Sequence, residues 1–367
     1  MKRLSCLIAL VSLLGLNPTL ASPADALRVQ KNYEAAMNRW SLDMNAATTA
    51  EERSKVWAAR PDAMGPVREI WKNIAASLDQ DWTLAPAAWF LRVAPSLTAN
   101  DANGTPQPVF RDNCDTIRKA IEQHHLKSPK LTPLCAALAA SPDPRSLALL
   151  EKIQESTPDP NIQGVAALGA AMQLKSLGDN PEIMTKRLTY LRKAIIQSAD
   201  VQLDGVPVSS MAEDELYIIR FLTKGRVAPD LKGLDSAGRP LALSSWQGKV
   251  IVLVFWNSNV FDSQRVVDIT TALAERYKDK PLQVVGVNND TTAKLRTLQA
   301  NGTVTWPNFS DPDNKLSREF RVGTWPLVYV LDAERKVQYA GAPGSFVEFT
   351  AEALLEAKKP AAAGKKN

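Results

Sequence analysis

Two hydrophobic rhythms divide the 367-residue chain. From residue 22 to about 222, apolar residues recur at three- and four-residue spacing, punctuated by Pro, Gly and Asn, and this predicts helices. The spacing places them at Ala26–Met44, Ala50–Ala59, Val67–Leu78, Leu84–Val93, Phe110–His124, Leu131–Ala140, Pro144–Gln154, Ile162–Leu177 and Pro181–Ser198. From Lys224 onward the rhythm becomes alternation, and Asp235–Pro240 has the composition of a hairpin turn. A buried strand (Val250–Trp256), a helix (Asp262–Tyr277), a strand (Leu282–Asn288), helices at Thr291–Ala300 and Lys315–Phe320, strands at Leu327–Leu331 and Lys336–Tyr339, and a last helix (Phe346–Lys358) follow. The predicted fold class is therefore α+β in two domains: an all-α domain over 22–222 and an α/β domain over 224–358.

Within the helical half, Ser141-Pro142-Asp143-Pro144 is echoed by Thr157-Pro158-Asp159-Pro160. In each, Asp is set to cap a helix whose first residue is Pro, where no N–H is needed. The small residues Ala166–Ala171 that follow the second copy permit close helix–helix approach. A helical-repeat pair of the HEAT or tetratricopeptide kind and an irregular bundle both fit this pattern. Asp101–Pro106 reads as a loop dividing two helical subdomains.

Composition adds constraints. A 45% hydrophobic and 23% charged chain is an ordinary globular one. Lys2 and Arg3, the apolar run Leu4–Leu16 and the small-residue end Thr19-Leu20-Ala21 form the pattern of a secretory signal over 1–21, an uncleaved anchor being the alternative. No later segment is long and apolar enough to span a bilayer. The formal charge of +5 sits at the two ends: Lys2, Arg3 and four lysines at 358, 359, 365 and 366 account for all of it. Residues 359–367 read as a disordered basic tail. The nearly neutral remainder gives no electrostatic case for nucleic acid.

Past residue 21, Cys114 and Cys135 are the only cysteines. An even count in an exported protein predicts one disulfide between them, two unpaired thiols being the alternative. His124 and His125 are the only histidines. Their adjacency turns them to different sides of a helix, and no Cys or acidic ligand has suitable spacing, so they read as a solvated pair and no metal site is expected. No Gly-rich phosphate loop is present, and no cofactor is expected. Trp40, Trp57, Trp71, Trp82, Trp89 and Phe90 read as core of the helical half.

Several motifs of the C-terminal half occur in a specific order: Ala228-Pro229-Asp230; Gly238-Arg239-Pro240-Leu241 with Leu243 and Trp246-Gln247-Gly248-Lys249-Val250; Phe255-Trp256; and Gly323-Thr324-Trp325-Pro326 with Val328–Asp332. Together with the β-α-β-α-β-β-α order, residues 224–358 resemble the exported thiol-disulfide interchange proteins of the TlpA/ResA type, within the thioredoxin-like redoxin (AhpC/TSA) group. The resemblance implies a Cys-x-x-Cys after Phe-Trp, and a cis-proline loop at Thr324, Trp325 and Pro326. Here the two cysteine positions are Val260 and Ser263, the position of the buried proton-relay acid is Val254, and Asn259 stands where Trp is usual. Neither Val260 nor Ser263 can form a thiolate. A serine nucleophile needs an adjacent base, and both histidines lie in the other half, so Ser263 reads as a helix cap.

The expected function is binding or scaffolding of a protein or peptide by an exported module with a degenerate, redox-inactive site. Asn259, Val260, Phe261, Thr324, Trp325 and Pro326 would form its apolar patch. A thiol-disulfide oxidoreductase or peroxidase, the activity the resemblance implies, is the alternative and would need Cys114 and Cys135 to cycle or an external thiol donor. A third reading makes the helical half the working scaffold.

Overall fold

The computed structural model describes residues 22–357 apart from 142, 179 and 260–262. The predicted signal segment and basic tail lie outside the described residues. The chain divides into two compact units between Ala212 and Glu213.

The first unit is helical, with α1 (Pro23–Ala46), α2 (Ala50–Ala58), α3 (Met64–Ile74), α4 (Leu84–Val93), α5 (Arg111–Ala120), α6 (Thr132–Ala140), α7 (Pro144–Ser156), α8 (Pro160–Lys175) and α9 (Pro181–Gln197). The two Pro-Asp-Pro echoes work as read. Asp143 caps α7 by accepting the Arg145 N–H at 2.9 Å, and Asp159 caps α8 by accepting the Asn161 N–H at 2.9 Å. Proline stands at the start of both helices. Helix α8 is buried along Gly164–Ala171 and packs against α6, α7 and α9, which is why its sequence is small and apolar all round.

Three features of this unit differ from the sequence reading. Asp101–Pro106 is the turn of a small hairpin, β1 (Thr98–Asn100) with β2 (Pro106–Pro108), in which Asp101 accepts the N–H groups of Asn103 and Thr105. A second short hairpin joins β3 (Gln202–Leu203) to β4 (Val206–Pro207). The segment predicted as one helix, Phe110–His124, is α5 continued by a π-helical turn over Ile121–His125.

Helix α10 (Val208–Phe221) spans the division between the units. Its C-terminal residues Tyr217, Ile218, Phe221 and the following Leu222 pack into the core of the second unit, so that unit begins at Glu213 and not at 224.

The second unit is built on a five-stranded sheet in the order β11-β10-β7-β8-β9. Its elements are the hairpin β5 (Lys232–Leu234) and β6 (Pro240–Ala242), β7 (Val250–Trp256), α11 (Ser263–Arg276), β8 (Leu282–Asn288), α12 (Thr292–Ala300), β9 (Asn308–Ser310), α13 (Lys315–Glu319), β10 (Leu327–Leu331), β11 (Val337–Gly341) and α14 (Ser345–Ala357). Strands β7, β8 and β9 run parallel, and β10 and β11 are antiparallel to their neighbours. The hairpin turn closes on Asp235, whose carboxylate accepts the N–H groups of Ala237 and Arg239 around Gly238 at φ +82°.

Strand β7 is the centre of the sheet and is buried at every position, hence its unbroken apolar run. Val250, Val252, Val254 and Trp256 face a core completed by Val266 and Val267 of α11, Leu295 of α12 and Val347 of α14. Ile251, Leu253 and Phe255 face the other core, with Leu222, Phe309, Leu316, Phe320 and Tyr329. The molecule is thus α+β in two parts, with a helical unit followed by a three-layer unit of thioredoxin-like topology.

Candidate functional site

Strand direction brings the loops of interest together. Leu327, the first residue of β10, is in register with Phe255, the last but one of β7. Val328 is in register with Gly341, the last residue of β11. The segments 257–259, 323–326 and 342–344 therefore leave the same end of the sheet. Residues 289–291, after β8, join them because β8 is parallel to β7. In open α/β sheets the ends of the parallel strands are the usual place for a ligand.

Each loop is held by identifiable bonds. Asp290 is 6% exposed and accepts the Ser258 N–H at 2.9 Å, the Ser258 hydroxyl at 3.0 Å and the Asn288 amide at 2.9 Å. Those donors occupy both carboxylate oxygens, so Asp290 acts as an anchor for the loop after β7. Asn257 Oδ1 accepts the Asn259 N–H at 3.0 Å and tightens the same turn. Beneath it, Trp256 Nε1 donates to Asn308 Oδ1 at 2.9 Å, and the Trp256 ring meets Trp306 edge-on at 5.5 Å. The polar strand ends Asn288 and Asn308 are thus spent on internal bonds.

The Trp325-Pro326 bond is cis, as expected from the resemblance. The Trp325 ring is half-buried and meets Phe255 edge-on at 6.4 Å, while Thr324 and Gly323 are exposed. Among the described residues no hydrogen bond reaches the backbone of Gly323, Thr324 or Trp325. Backbone groups without a partner at a strand end are available to a second extended chain. Asn259 is exposed at the same sheet end. Val260 and Phe261, also expected in the patch, lie outside the described residues, and Ser263 opens α11.

Phe346, the second residue of α14, is 70% exposed, with Phe349 at 62% one turn on. Sequence reading passed over both as part of an amphipathic last helix. Asp290 was also missed, although a carboxylate directly after the polar end of an apolar strand was its signal.

Residues 213–367, which include every strand of this sheet, contain no cysteine. Val254, at the proton-relay position, is fully buried among apolar neighbours. The expected disulfide is corrected by the structure, in which Cys114 on α5 and Cys135 on α6 are both free and buried. An even count in an exported chain argues for pairing only when the two side chains face each other, and here each is packed as a small apolar group. Burial pushes the Cys114 thiol up to about 11 and the Cys135 thiol up to about 12, so both are protonated at neutral pH.

The histidine pair is also corrected. His125 is 1% exposed, with Nδ1 2.9 Å from Asp81 Oδ1 and Nε2 2.7 Å from the Leu78 carbonyl. Ser128 donates its hydroxyl to the other Asp81 oxygen at 2.8 Å. The π-helical turn inserts an extra residue and swings His125 inward. His124 remains exposed.

The AhpC/TSA family model matches residues 224–340. Among curated relatives, Protein DipZ of Mycobacterium tuberculosis is 27% identical over 147 residues, 36% of this chain and 21% of its own. Peroxiredoxin Q of Triticum aestivum is 29% identical over 128 residues, 32% of this chain and 58% of its own. The thiol-disulfide oxidoreductase ResA of Bacillus cereus is 23% identical over 114 residues, 31% of this chain and 66% of its own. The chain thus spans less than two thirds of the length of each of these three relatives. Residues 224–340, which match the AhpC/TSA family model, thus coincide with the sheet unit and its thioredoxin-like strand order.

Proposed function

We propose that the second unit is a redox-inactive thioredoxin-like module that binds an extended polypeptide at the sheet end formed by residues 257–259 and 323–326. The observation that carries this reading is a backbone at Gly323–Trp325 that makes no hydrogen bond among the described residues, together with the lack of any cysteine in residues 213–367. The half-buried Trp325 supplies an apolar contact beside that backbone, the arrangement typical of a binding hot spot. Export from the cytoplasm is part of the proposal and rests on the Lys2-Arg3, Leu4–Leu16 and Thr19–Ala21 pattern. No helix among the described residues is long and apolar enough to cross a membrane.

A thiol-disulfide oxidoreductase or peroxidase is the second reading, favoured by the names of the ResA and peroxiredoxin Q relatives. Its thiols would have to be Cys114 and Cys135, and burial keeps both in the unreactive protonated form.

Two measurements on the full chain decide the matter. The first is turnover of a protein disulfide or a peroxide with an added thiol donor. Wild type and the Cys114→Ser/Cys135→Ser variant are expected to be equally inactive; activity in wild type lost in the variant would establish the second reading. The second is binding of an unfolded protein whose cysteines carry neutral carbamidomethyl groups. Trp325→Ala is expected to weaken it by more than about 1 kcal/mol, the usual hot-spot threshold, with unchanged circular dichroism. Unchanged affinity in that variant would remove the sheet-end site from the proposal.

A further inference from the structure

The helical unit carries a second candidate site, independent of the sheet end. Two adjoining clefts of about 460 and 400 Å³ share Pro95 and Ser141 as walls and so form one groove between the end of α4, the start of α5 and the start of α7. Each is in the volume range of pockets that hold small ligands. The floor is apolar, from Pro95, Pro108, Phe110 and the neutral Cys114.

The walls carry an unusual charge pattern. Arg118 is 8% exposed, with one guanidinium nitrogen 2.9 Å from Asp115 and another 3.0 Å from Asp143. Arg145 bridges the same two carboxylates at 2.8 and 2.6 Å. These four residues neutralise one another at the wall of the first cleft. Arg118 Nε is left buried with no hydrogen-bond partner among the described residues. Arg92 lines the second cleft and Arg111 the first, both exposed and neither in an ion pair among the described residues. Each cleft thus keeps one positive charge in no ion pair among the described residues, in a chain whose formal charge outside its two ends is close to zero.

We propose that this groove binds an acidic peptide segment in extended conformation. Apolar side chains would lie on the Pro95–Phe110 floor, and carboxylates would reach Arg92 and Arg111. A compact anion would meet one of the two free guanidiniums and leave the other unused. One free guanidinium in each of two adjoining clefts over apolar lining therefore favours a chain that alternates acidic and apolar residues. The Arg–Asp array holds the wall rigid and is expected to contribute shape more than affinity.

The test uses the full chain and a fluorescein-labelled octapeptide of alternating Glu and Leu, read by anisotropy. Saturable binding is expected, weakened by added salt. The same peptide with Lys for Glu is expected not to bind. Arg92→Gln/Arg111→Gln, which removes charge with little risk to the fold, should weaken binding more than tenfold, and Arg92→Glu/Arg111→Glu should abolish it. Trp325→Ala should leave it unchanged, which separates this groove from the sheet end. Equal affinity for the Lys peptide, or unchanged binding in both double variants, would overturn the proposal. Displacement of the peptide by glutarate at the concentration at which glutarate itself binds would overturn the peptide class in favour of a small dicarboxylate.

Discussion

Asp290 holds Ser258 twice, by its backbone N–H at 2.9 Å and by its hydroxyl at 3.0 Å. One buried carboxylate at the end of β8 therefore sets the course of the chain after β7. Replacing it with alanine leaves two Ser258 donors and the Asn288 amide without that acceptor. Asp290→Ala is expected to cost about 2–3 kcal/mol, the range for hydrogen bonds to a charged group. Asp290→Asn, which retains one acceptor oxygen, should cost less. Hydrogen exchange gives a local check: the Ser258 amide should exchange faster in Asp290→Ala, while the amides of β10 stay protected. Uniform loss of protection across the sheet would mean that Asp290 acts on the whole unit and not on the loop.

The two thiols make a prediction in alkaline solution. Their folded values, about 11 for Cys114 and about 12 for Cys135, lie above the reference value of 9.0. Between these values the folded state keeps protons that the unfolded state has lost. The thiol contribution to stability is therefore complete below about pH 9 and is lost as pH rises toward 11–12. Each buried thiol should add up to about 1.4 kcal/mol per pH unit to the slope. Cys135→Ala should lower stability at pH 7 but flatten the decline above pH 9. In the native protein at pH 8, iodoacetamide should label neither cysteine; in denaturant it should label both without prior reduction.

The His125–Asp81–Ser128 cluster predicts an acid limb in the helical unit. The Ser128 hydroxyl, and then His125, hold the Asp81 carboxyl below the usual carboxylate range. The folded value is depressed, so this contribution is present above about pH 4 and disappears as pH falls through the folded value. Asp81→Asn should flatten the fall in melting temperature below pH 4. His125→Phe fills the space but removes the ring nitrogens that lie against Asp81 and the buried Leu78 carbonyl, and should cost about 2 kcal/mol at pH 7. A His125→Phe protein as stable as wild type would show that the cluster is incidental to the fold.

Gly286 tests the packing under the sheet end. A Cβ there would stand 1.8 Å from Asn308 Oδ1 and 2.5 Å from the Trp306 ring. Gly286→Ala must therefore displace the acceptor of the Trp256 indole. A loss of about 3 kcal/mol is expected, at the upper end for overpacking, with a change in tryptophan fluorescence. Gly302→Ala, which is strained by its φ of +76° but meets no atom, should leave the fluorescence unchanged.

Much of this was legible in the chain because periodicity reports burial. Strands β7, β8 and β10 have the predicted ends, since each is a mostly apolar run that starts after a lysine or a proline and stops at a polar residue. Strand β9 was missed because Asn308-Phe309-Ser310 offers one apolar residue, and its Asn is buried by a bond to Trp256, not by hydrophobicity. Helix α10 was missed because Ala212 and Glu215 occupy two positions of its buried stripe Val208, Ala212, Glu215, Ile219 and Leu222. The inward turn of His125 depends on a π-helical insertion that no side-chain pattern announces. At the sheet end, the chemical vacancy at Val260 and Ser263 could be read directly, whereas the anchor Asp290 and the exposed Phe346 required the fold.

The packing of Tyr217, Phe221 and Leu222 has a practical consequence for anyone dividing this protein. The family match opens at residue 224, so a fragment cut to that boundary would discard the helical lid over Phe255, Phe320 and Tyr329. It would also lose the Arg321 guanidinium's seat over the Tyr217 ring, 4.1 Å from its centroid, and its ion pair with Asp214. Such a fragment would present one face of its sheet to water and should aggregate on expression. The unit that inheritance marks out is shorter than the unit that folds, and an expressible fragment has to start ahead of Glu213.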